Sequence, residues 1–319
     1  MGPIAKLVAQ RVALSLILLF LVSILIFVGT IILPGDVAQS ILGQSATPEA
    51  LANLRRDLGL NDPPLTRYFA WAGGVLTGDL GTALTSGTDI ADSLSGRLRN
   101  TLFLAFWAAL FAVPLAIFLG LLAVRYRERW PDKAISGVTL ASISIPEFLI
   151  GYVLMFYFGV RLGWFPPTAT GYVADGPLLD RLNSIALPIA VLTLVVLAHM
   201  MRMTRAAILN VMQSAYIETA ELKGLSTFTV IYKHAFPNAI SPIVNVVMLN
   251  LAYLVVGVVV IEVVFVYPGM GQYLVDHVSK RDVPVVQACG LIFAAIYIGL
   301  NLVADIVSIL ANPRLRHPK

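Results

Sequence analysis

Residues 101–124 read TLFLAFWAALFAVPLAIFLGLLAV and contain no Asp, Glu, Lys, Arg or His. A helix of about 20 apolar residues crosses the roughly 30 Å hydrocarbon core of a bilayer, so this run is long enough for one crossing. Lipid offers the backbone no hydrogen-bonding partner, and the N–H and C=O groups must therefore pair within a helix or a closed barrel. Barrel strands would show about 10 residues of alternating polarity, which this run lacks. The run predicts a membrane-spanning α-helix.

Five further runs of this kind flank it along the chain. Runs free of Asp, Glu, Lys and Arg occupy residues 12–33, 185–201, 240–261 and 283–304, and residues 134–160 are interrupted only by Glu147. The first run follows Lys6 and Arg11 as in a signal peptide, but it is longer than the usual apolar region and no small-residue cleavage site follows. We interpret it as a retained span. The sequence predicts an all-α integral membrane protein with six transmembrane helices.

The composition agrees with a lipid-facing chain. Hydrophobic residues make up 58% of the 319 residues and charged residues 13%, about half the share of a soluble domain. Too little polar surface is left to cover a water-facing protein of this size, and such an apolar chain is not disordered. The single cysteine, Cys289, excludes a disulfide scaffold. The net charge of +4 comes from short clusters between apolar runs, which argues against nucleic acid as a partner.

The distribution of Lys and Arg predicts the orientation, because cytoplasmic loops carry more of them. With the N-terminus inside, the inner segments hold 13 of the 22 basic residues and the short outer segments hold four. The inner ones are Lys6, Arg11, Arg125, Arg127, Arg129, Lys133, Arg202, Arg205, Lys223, Lys233, Arg314, Arg316 and Lys319, and the outer ones are Arg161, Arg181, Lys280 and Arg281. We expect both termini to be cytoplasmic.

Three parts follow from this topology. We expect a cytoplasmic N-terminus and first transmembrane helix at 1–33, an extracytoplasmic segment at 34–100, and a five-helix core at 101–319 with a cytoplasmic loop at 202–238. The outer segment should contain a capped helix, in which Thr47 is the N-cap, Pro48 and Glu49 form the first turn, and Gly59 ends the helix.

Sites for catalysis are missing from the sequence. There is no G-x-x-x-x-G-K-[ST] motif to hold ATP phosphates and no G-x-S-x-G nucleophile motif. The four histidines are scattered, without a second ligand at metal-binding spacing. We therefore expect a chain that is not an enzyme and holds neither a metal nor a cofactor of its own.

The second half of the inner loop and the start of the next apolar run, residues 214–242, read SAYIETAELKGLSTFTVIYKHAFPNAISP. Residues 215–223 favour a short helix that Gly224 can end in a left-handed turn. Ser226 can cap a second helix, and Pro237 should interrupt that helix before the fifth span. The pattern predicts a helix–turn–helix elbow, although an ordinary amphipathic loop has the same periodicity.

This loop resembles the signature of the membrane subunits of ABC importers, which reads E-A-A, three residues, G, nine residues and I-x-L-P. Glu218, Ala220, Gly224 and Pro237 match at this spacing. Thr219, His234 and Phe236 depart from it in a way that is similar to the peptide/nickel branch. Further similar stretches are 34–36 (PGD), 46–49 (ATPE), 58–60 (LGL), 78–81 (GDLG), 144–148 (SIPEF), 204–205 (TR), 268–271 (PGMG), 281–284 (RDVP) and 312–314 (NPR).

The resemblance implies a fold, partners and a location. It implies the type I ABC importer permease fold and the first permease subunit of a dipeptide/oligopeptide/nickel importer in a bacterial inner membrane. The partners would be a second homologous permease, two ATP-binding subunits that hold ATP and Mg, and an extracytoplasmic substrate-binding protein. The loop from Glu218 to Pro237, with Thr219, Ala220, Gly224 and His234, would couple the spans to the ATPases. Glu218 is implied as a polar contact with the ATPase or within the loop, and a solvated carboxylate is the alternative.

Glu147 is the ionisable residue nearest the middle of a span, and such residues are costly to bury. Pro146 before it removes a backbone donor and should kink the helix. Glu147 either lines the substrate pathway and meets an amine or cation, or hydrogen-bonds to the kink or the partner permease.

Two other classes of membrane protein compete with the importer. An ion-gradient-driven secondary transporter or channel usually has charged or broken helices at matching depth in two halves, and Glu147 has no such counterpart. A proton-pumping respiratory subunit would need a chain of buried ionisable groups. The signature loop favours the importer, and the substrate stays open among dipeptides, oligopeptides, nickel chelates and opines.

Overall fold

The computed structural model describes residues 3–32 and 37–311, so the matched stretches 34–36 and 312–314 lie outside it. Within these residues the chain is helical, with one isolated β-bridge between Thr82 and Asp89. The helices are α1 (Pro3–Ile32), α2 (Val37–Leu42), α3 (Pro48–Asp57), α4 (Pro64–Thr77), α5 (Ile90–Arg125), α6 (Trp130–Ser144), α7 (Glu147–Leu154), α8 (Leu178–Ser184), α9 (Ala186–Met212), α10 (Ala215–Leu222), α11 (Thr227–Thr229), α12 (Phe236–Val264), α13 (Met270–Ser279) and α14 (Val283–Ala311). A 3₁₀ turn, Gly43–Ser45, follows α2, and π-helical segments at Met155–Arg161 and Val230–Ala235 follow α7 and α11.

Five helices in the described part are long and apolar enough to cross a membrane, at Ile4–Ile32, Ile90–Arg125, Ala186–Met212, Thr227–Val264 and Val283–Ile309. They coincide with five of the six predicted runs. The sixth run is covered by the pair Trp130–Ser144 and Glu147–Arg161, which together are long and apolar enough for one crossing but are sharply bent, and we call this pair the broken span. The prediction of an all-α protein is confirmed, and so are five of its six apolar spans. The sixth is present only if the bent pair is counted as one span.

The broken span corrects the expectation of a single kinked helix over 134–160. Its two halves meet at 102°, which is a break in the helix. Ile145 adopts an extended conformation (φ −96°, ψ 129°) because the ring of Pro146 disfavours helical geometry in the residue before it. A new helix then begins at Glu147.

The described residues form two compact units. The larger unit comprises residues 3–15, 102–267 and 296–311, and the smaller unit comprises 16–32, 37–101 and 268–295. Within the larger unit α9 packs against α6, α7 and α12. About half of the residues of α9 are buried, and Val191, Met200, Met201 and Ile208 are completely enclosed. This helix is therefore the centre of the larger unit's core.

The smaller unit contains the helix expected after Thr47. The Thr47 side chain accepts a hydrogen bond from the Ala50 N–H at 3.2 Å, and Pro48 starts α3. Gly59 has φ +61°, and the Leu60 N–H bonds to the Arg55 carbonyl at 2.9 Å. The Gly59 N–H also bonds to the Arg56 carbonyl, and two such bonds are typical of a helix that ends at a left-handed glycine. The predicted capping is confirmed.

Candidate functional site

The segment between α9 and α12 forms an elbow, defined here as residues 213–235. Its first arm is α10, which starts after Ser214, whose hydroxyl donates to the Val211 carbonyl. Ala, Glu and Leu favour a helix at this position, and the arm ends at Leu222. The predicted short helix over 215–223 is confirmed to within its last residue.

Gly224 makes the corner of the elbow. Its φ is +77°, a conformation that costs residues with a side chain about 1–2 kcal/mol. The Gly224 N–H bonds to the Glu221 carbonyl at 2.9 Å and the Leu225 N–H to the Ala220 carbonyl at 3.3 Å. These two bonds pair carbonyl groups that the helix end would leave open. The predicted left-handed turn is confirmed.

The second arm begins at Ser226 and runs into α12. The Ser226 hydroxyl accepts from the Thr229 N–H at 3.3 Å, as expected of an N-cap. The expectation that Pro237 interrupts this helix is wrong, since the helix continues from Thr227 to Val264. The π-helical segment Val230–Ala235 widens the helix just before Pro237, which lies in the first turn of α12 and needs no N–H there.

The inner side of the elbow is a closed apolar cluster. Ile217 and Ala220 of the first arm pack with Val230, Ile231 and Ala235 of the second. The same cluster includes Leu121 and Val124 from the end of α5, Ile208 of α9, and Ala239 and Ile243 of α12. The elbow is therefore packed against the ends of three long helices.

The outer side of the elbow exposes apolar side chains. We call the residues Tyr216, Leu222, Leu225 and Phe228 the elbow face. Leu222 is 83% exposed and Phe228 is 50% exposed. The Phe228 ring lies 4.4 Å from the ring of Tyr232, and the Arg125 guanidinium lies 5.4 Å from it. An exposed apolar face on a rigid base is typical of a surface that binds another protein.

The residues singled out in the signature loop fall on both sides of the elbow. Glu218 and Thr219 are exposed, and the Thr219 hydroxyl donates to the Ala215 carbonyl at 2.9 Å. Ala220 is buried against the second arm. His234 is half-buried, and Pro237 is exposed beyond the second arm. Glu218 and Thr219 therefore lie on the exposed side of the first arm, and Ala220 lies on its buried side.

Glu147 lies apart from the elbow, at the start of α7. Its Oε2 is 3.7 Å from the point where a Cβ on Gly257 would stand, and the Tyr253 ring is 3.9 Å from that point. The ring of His199 lies 6.4 Å from the ring of Tyr253. Both Tyr253 and His199 are exposed at the surface of the larger unit. Glu147 of the broken span therefore lies close to the Tyr253 and Gly257 face of α12.

Two family matches cover most of the chain. Residues 112–317 match the family described as "Binding-protein-dependent transport system inner membrane component", and residues 4–95 match the N-terminal region of the corresponding membrane components. The first match spans more than half of the chain.

The chain belongs to this family.

Curated relatives are similar in sequence to this permease along nearly its whole length. It is 35% identical to a putative peptide transport system permease protein of Brucella abortus over 313 residues, 98% of the permease and 99% of the relative. It is 35% identical to the glutathione transport system permease protein GsiC of Escherichia coli over 299 residues, 94% and 95% of the two chains. A probable peptide ABC transporter permease protein of Sinorhizobium fredii is 33% identical over 310 residues. The permease is a multi-pass bacterial inner-membrane protein of the peptide ABC importer family.

Sequence reasoning missed several residues of the permease that the fold brings together. Leu222 and Phe228 of the elbow face read as ordinary helix positions, because exposure depends on how the two arms pack. Tyr253 and Gly257 stand four residues apart in a span, which predicts a shared helix face. Only the fold shows that this face meets Glu147.

Proposed function

We propose that this permease forms, with a second homologous permease, the translocation pathway of an ATP-driven importer. The pathway would carry a peptide-like substrate or a small chelate, delivered by an extracytoplasmic binding protein. Two ATP-binding subunits would hold ATP and Mg and carry out hydrolysis. The relatives named for peptide and glutathione transport support a peptide-like substrate.

The observation that carries the coupling proposal is the two-sided elbow. Its inner side is fixed to α5, α9 and α12, while its outer side exposes Leu222 and Phe228. Apolar surface in water is unfavourable by about 25 cal/mol per Å², so burying these side chains in a partner contributes to binding. We propose that the elbow face sits in a cleft of the ATPase and that Glu218 adds a polar contact at its edge.

The orientation is part of this proposal. An elbow that meets an ATPase must be cytoplasmic, and the excess of basic residues in the same set of loops supports an arrangement with both termini inside. When two ATPases close on ATP, the elbow would move and tilt the spans between inward-open and outward-open states. ATP shifts this equilibrium only as far as it binds one state better than the other.

Glu147 is the candidate residue for contact with the substrate in the pathway. A half-buried carboxylate close to the ring of Tyr253 and at the start of a helix suits the ammonium group of a peptide. Polar residues at membrane depth usually face a water-filled cavity, a partner helix or a substrate.

The test of coupling is reconstitution of the permease with its second permease and ATPases in proteoliposomes. We expect Leu222→Ser and Glu218→Lys to insert normally but to lose ATPase co-purification and ATP-driven uptake. Leu179→Ser is the matched control, because Leu179 is 78% exposed on α8, away from the elbow. Normal uptake in both elbow variants would refute the coupling proposal. Uptake that needs an ion gradient and no ATPase would support a secondary transporter instead.

A further inference from the structure

An open cavity of about 490 Å³ lies in the smaller unit, between residues 85–97 and residues 273–280. Basic and hydroxyl side chains line it, among them Arg97, Lys280, Tyr273, His277 and Ser93, and no Asp or Glu stands in its lining. The volume falls in the range of small-molecule sites. The cavity therefore has the charge and size for an anionic group.

Arg97 is held in a fixed position in this cavity. Its guanidinium lies 4.3 Å from the centre of the Tyr273 ring, and the Arg97 side chain is half-buried. Within the described residues no ion pair to a carboxylate occupies this guanidinium. A guanidinium over an aromatic ring keeps its N–H edge available, and that edge matches the two oxygens of a carboxylate.

His277 is held in the cavity lining by a hydrogen bond to the backbone and by its packing on Tyr273. The side chain is 6% exposed, and its Nδ1 lies 2.9 Å from the Tyr273 carbonyl oxygen. A carbonyl only accepts, so Nδ1 must carry the hydrogen and Nε2 is the remaining polar atom. The imidazole also packs on the Tyr273 ring with centroids 4.1 Å apart.

The loop that lines one side of the cavity is held in place by Asp282. Asp282 is completely buried and accepts from the Leu84 N–H at 3.1 Å and from the N–H and hydroxyl of Thr85 at 2.9 and 2.7 Å. Three donors satisfy this carboxylate, so it stabilises the loop. Next in the loop, the hydroxyls of Ser86 and Thr88 are 2.8 Å apart, and one of this pair keeps a proton to donate elsewhere.

We propose that this cavity binds a carboxylate group. The choice of ligand rests on the proposed function, since peptide-like substrates carry a terminal carboxylate and the proposed orientation puts these residues on the outer side. The carboxylate comes either from the substrate or from an acidic side chain of the docked binding protein. Both sources offer the same chemistry to Arg97 and Lys280.

The substrate source is tested on the full-length permease in phosphatidylcholine nanodiscs, without ATPases, so that a failure of coupling does not affect the result. Saturation-transfer NMR compares alanyl-alanine with its C-terminal amide. We expect the amide to bind the unmodified permease about tenfold more weakly than alanyl-alanine does. Arg97→Gln and Lys280→Gln should each weaken the binding of alanyl-alanine by a similar factor, which corresponds to the loss of one charge-assisted hydrogen bond. Arg97→Lys should restore part of the affinity. Arg99→Gln, which removes the same charge outside the cavity lining, should leave it unchanged.

The second source is tested on the complete transporter with its binding protein. In one outcome all variants bind the dipeptide equally, but Arg97→Gln and Lys280→Gln weaken docking of the binding protein while Arg99→Gln does not. The carboxylate then belongs to the binding protein. Equal behaviour of all three variants in both assays would overturn the proposal. So would tighter binding of inorganic phosphate than of alanyl-alanine, or displacement of the dipeptide by phosphatidylglycerol, because the site would then recognise phosphate.

Discussion

The guanidinium of Arg205 donates to both carboxylate oxygens of Asp132, with Nε–Oδ1 at 2.9 Å and Nη2–Oδ2 at 2.8 Å. Asp132 is buried in the first turn of α6 and also accepts from the Glu128 N–H at 2.9 Å. That bond holds Glu128 at φ +65°, a conformation rare for a residue with a side chain. The pair therefore ties the turn after α5 to the end of α9 that carries the elbow.

We expect Asp132→Asn and Arg205→Gln each to destabilise the permease by about 1–3 kcal/mol, since a partly buried charge loses its partner. Thermal unfolding in detergent measures the loss. The matched control is Arg127→Gln, whose pair with Glu128 spans 3.4 Å between well-exposed side chains and should contribute less than about 1 kcal/mol. Equal losses in the control and in the Arg205 variant would mean that the buried pair adds no special stability.

Gly120 allows α5 to approach α9 closely. A Cβ at Gly120 would stand 2.9 Å from the Thr204 Cγ2 and 3.1 Å from its Cβ, closer than side chains tolerate. Small residues at such crossings let membrane helices pack backbone to backbone. We expect Gly120→Val to destabilise the helix pair by about 1–3 kcal/mol through overpacking.

The measurement for Gly120 is the thermal midpoint of the purified permease. Gly137→Val is the control, because a Cβ at Gly137 meets no atom within 4 Å although the residue also lies inside a helix. Gly120→Ala alone should cause a smaller loss through the same contact, and adding Thr204→Ser to it should recover part of that loss by removing the methyl group that clashes. No recovery would place the strain elsewhere.

Gly224 should tolerate some side chains and not others, because its restriction is in the backbone alone. A Cβ at Gly224 meets nothing within 4 Å, so the φ of +77° is the only obstacle. Gly224→Val should unfold the corner at a cost of about 1–2 kcal/mol, whereas Gly224→Asn should cost less, since Asn adopts this conformation more readily. Substrate-stimulated ATPase activity should fall in the Val variant and persist in the Asn variant. Equal activity in both would show that the corner is not needed for coupling.

The features predicted from sequence are those governed by neighbours along the chain. Gly224, Ser226 and Thr47 were assigned correctly as helix ends because capping depends on a few adjacent residues. The pair of Arg205 with Asp132 was missed, since 73 positions separate the two residues and only the packing of α6 on α9 brings them together.

The broken span is predicted from sequence only in part. Pro146 signals a disturbance of the helix, but the size of the bend depends on what the second half packs against. In the folded chain α7 contacts both α9 and α12. The same packing brings Glu147 to Gly257, which no local pattern could indicate.

The role of Glu147 can be separated from the packing around it through Gly257. An alanine Cβ there would lie 3.7 Å from the Glu147 Oε2 and 3.9 Å from the Tyr253 ring, which are ordinary contacts, so Gly257→Ala should transport normally. Gly257→Leu should displace the carboxylate and cost about 1–3 kcal/mol. Glu147→Gln keeps the volume and removes the charge.

If Glu147 meets the ammonium group of a substrate, Glu147→Gln should lower uptake of alanyl-alanine about tenfold in proteoliposomes, the value of one charge-assisted contact. Uptake of N-acetyl-alanyl-alanine, which has no ammonium group, should be the same as in the unmodified permease. Gly257→Leu should repeat this selective loss, because it moves the carboxylate without removing it. A uniform loss for both dipeptides, with a lower thermal midpoint, would instead assign Glu147 to the helix break or to the contact with the second permease.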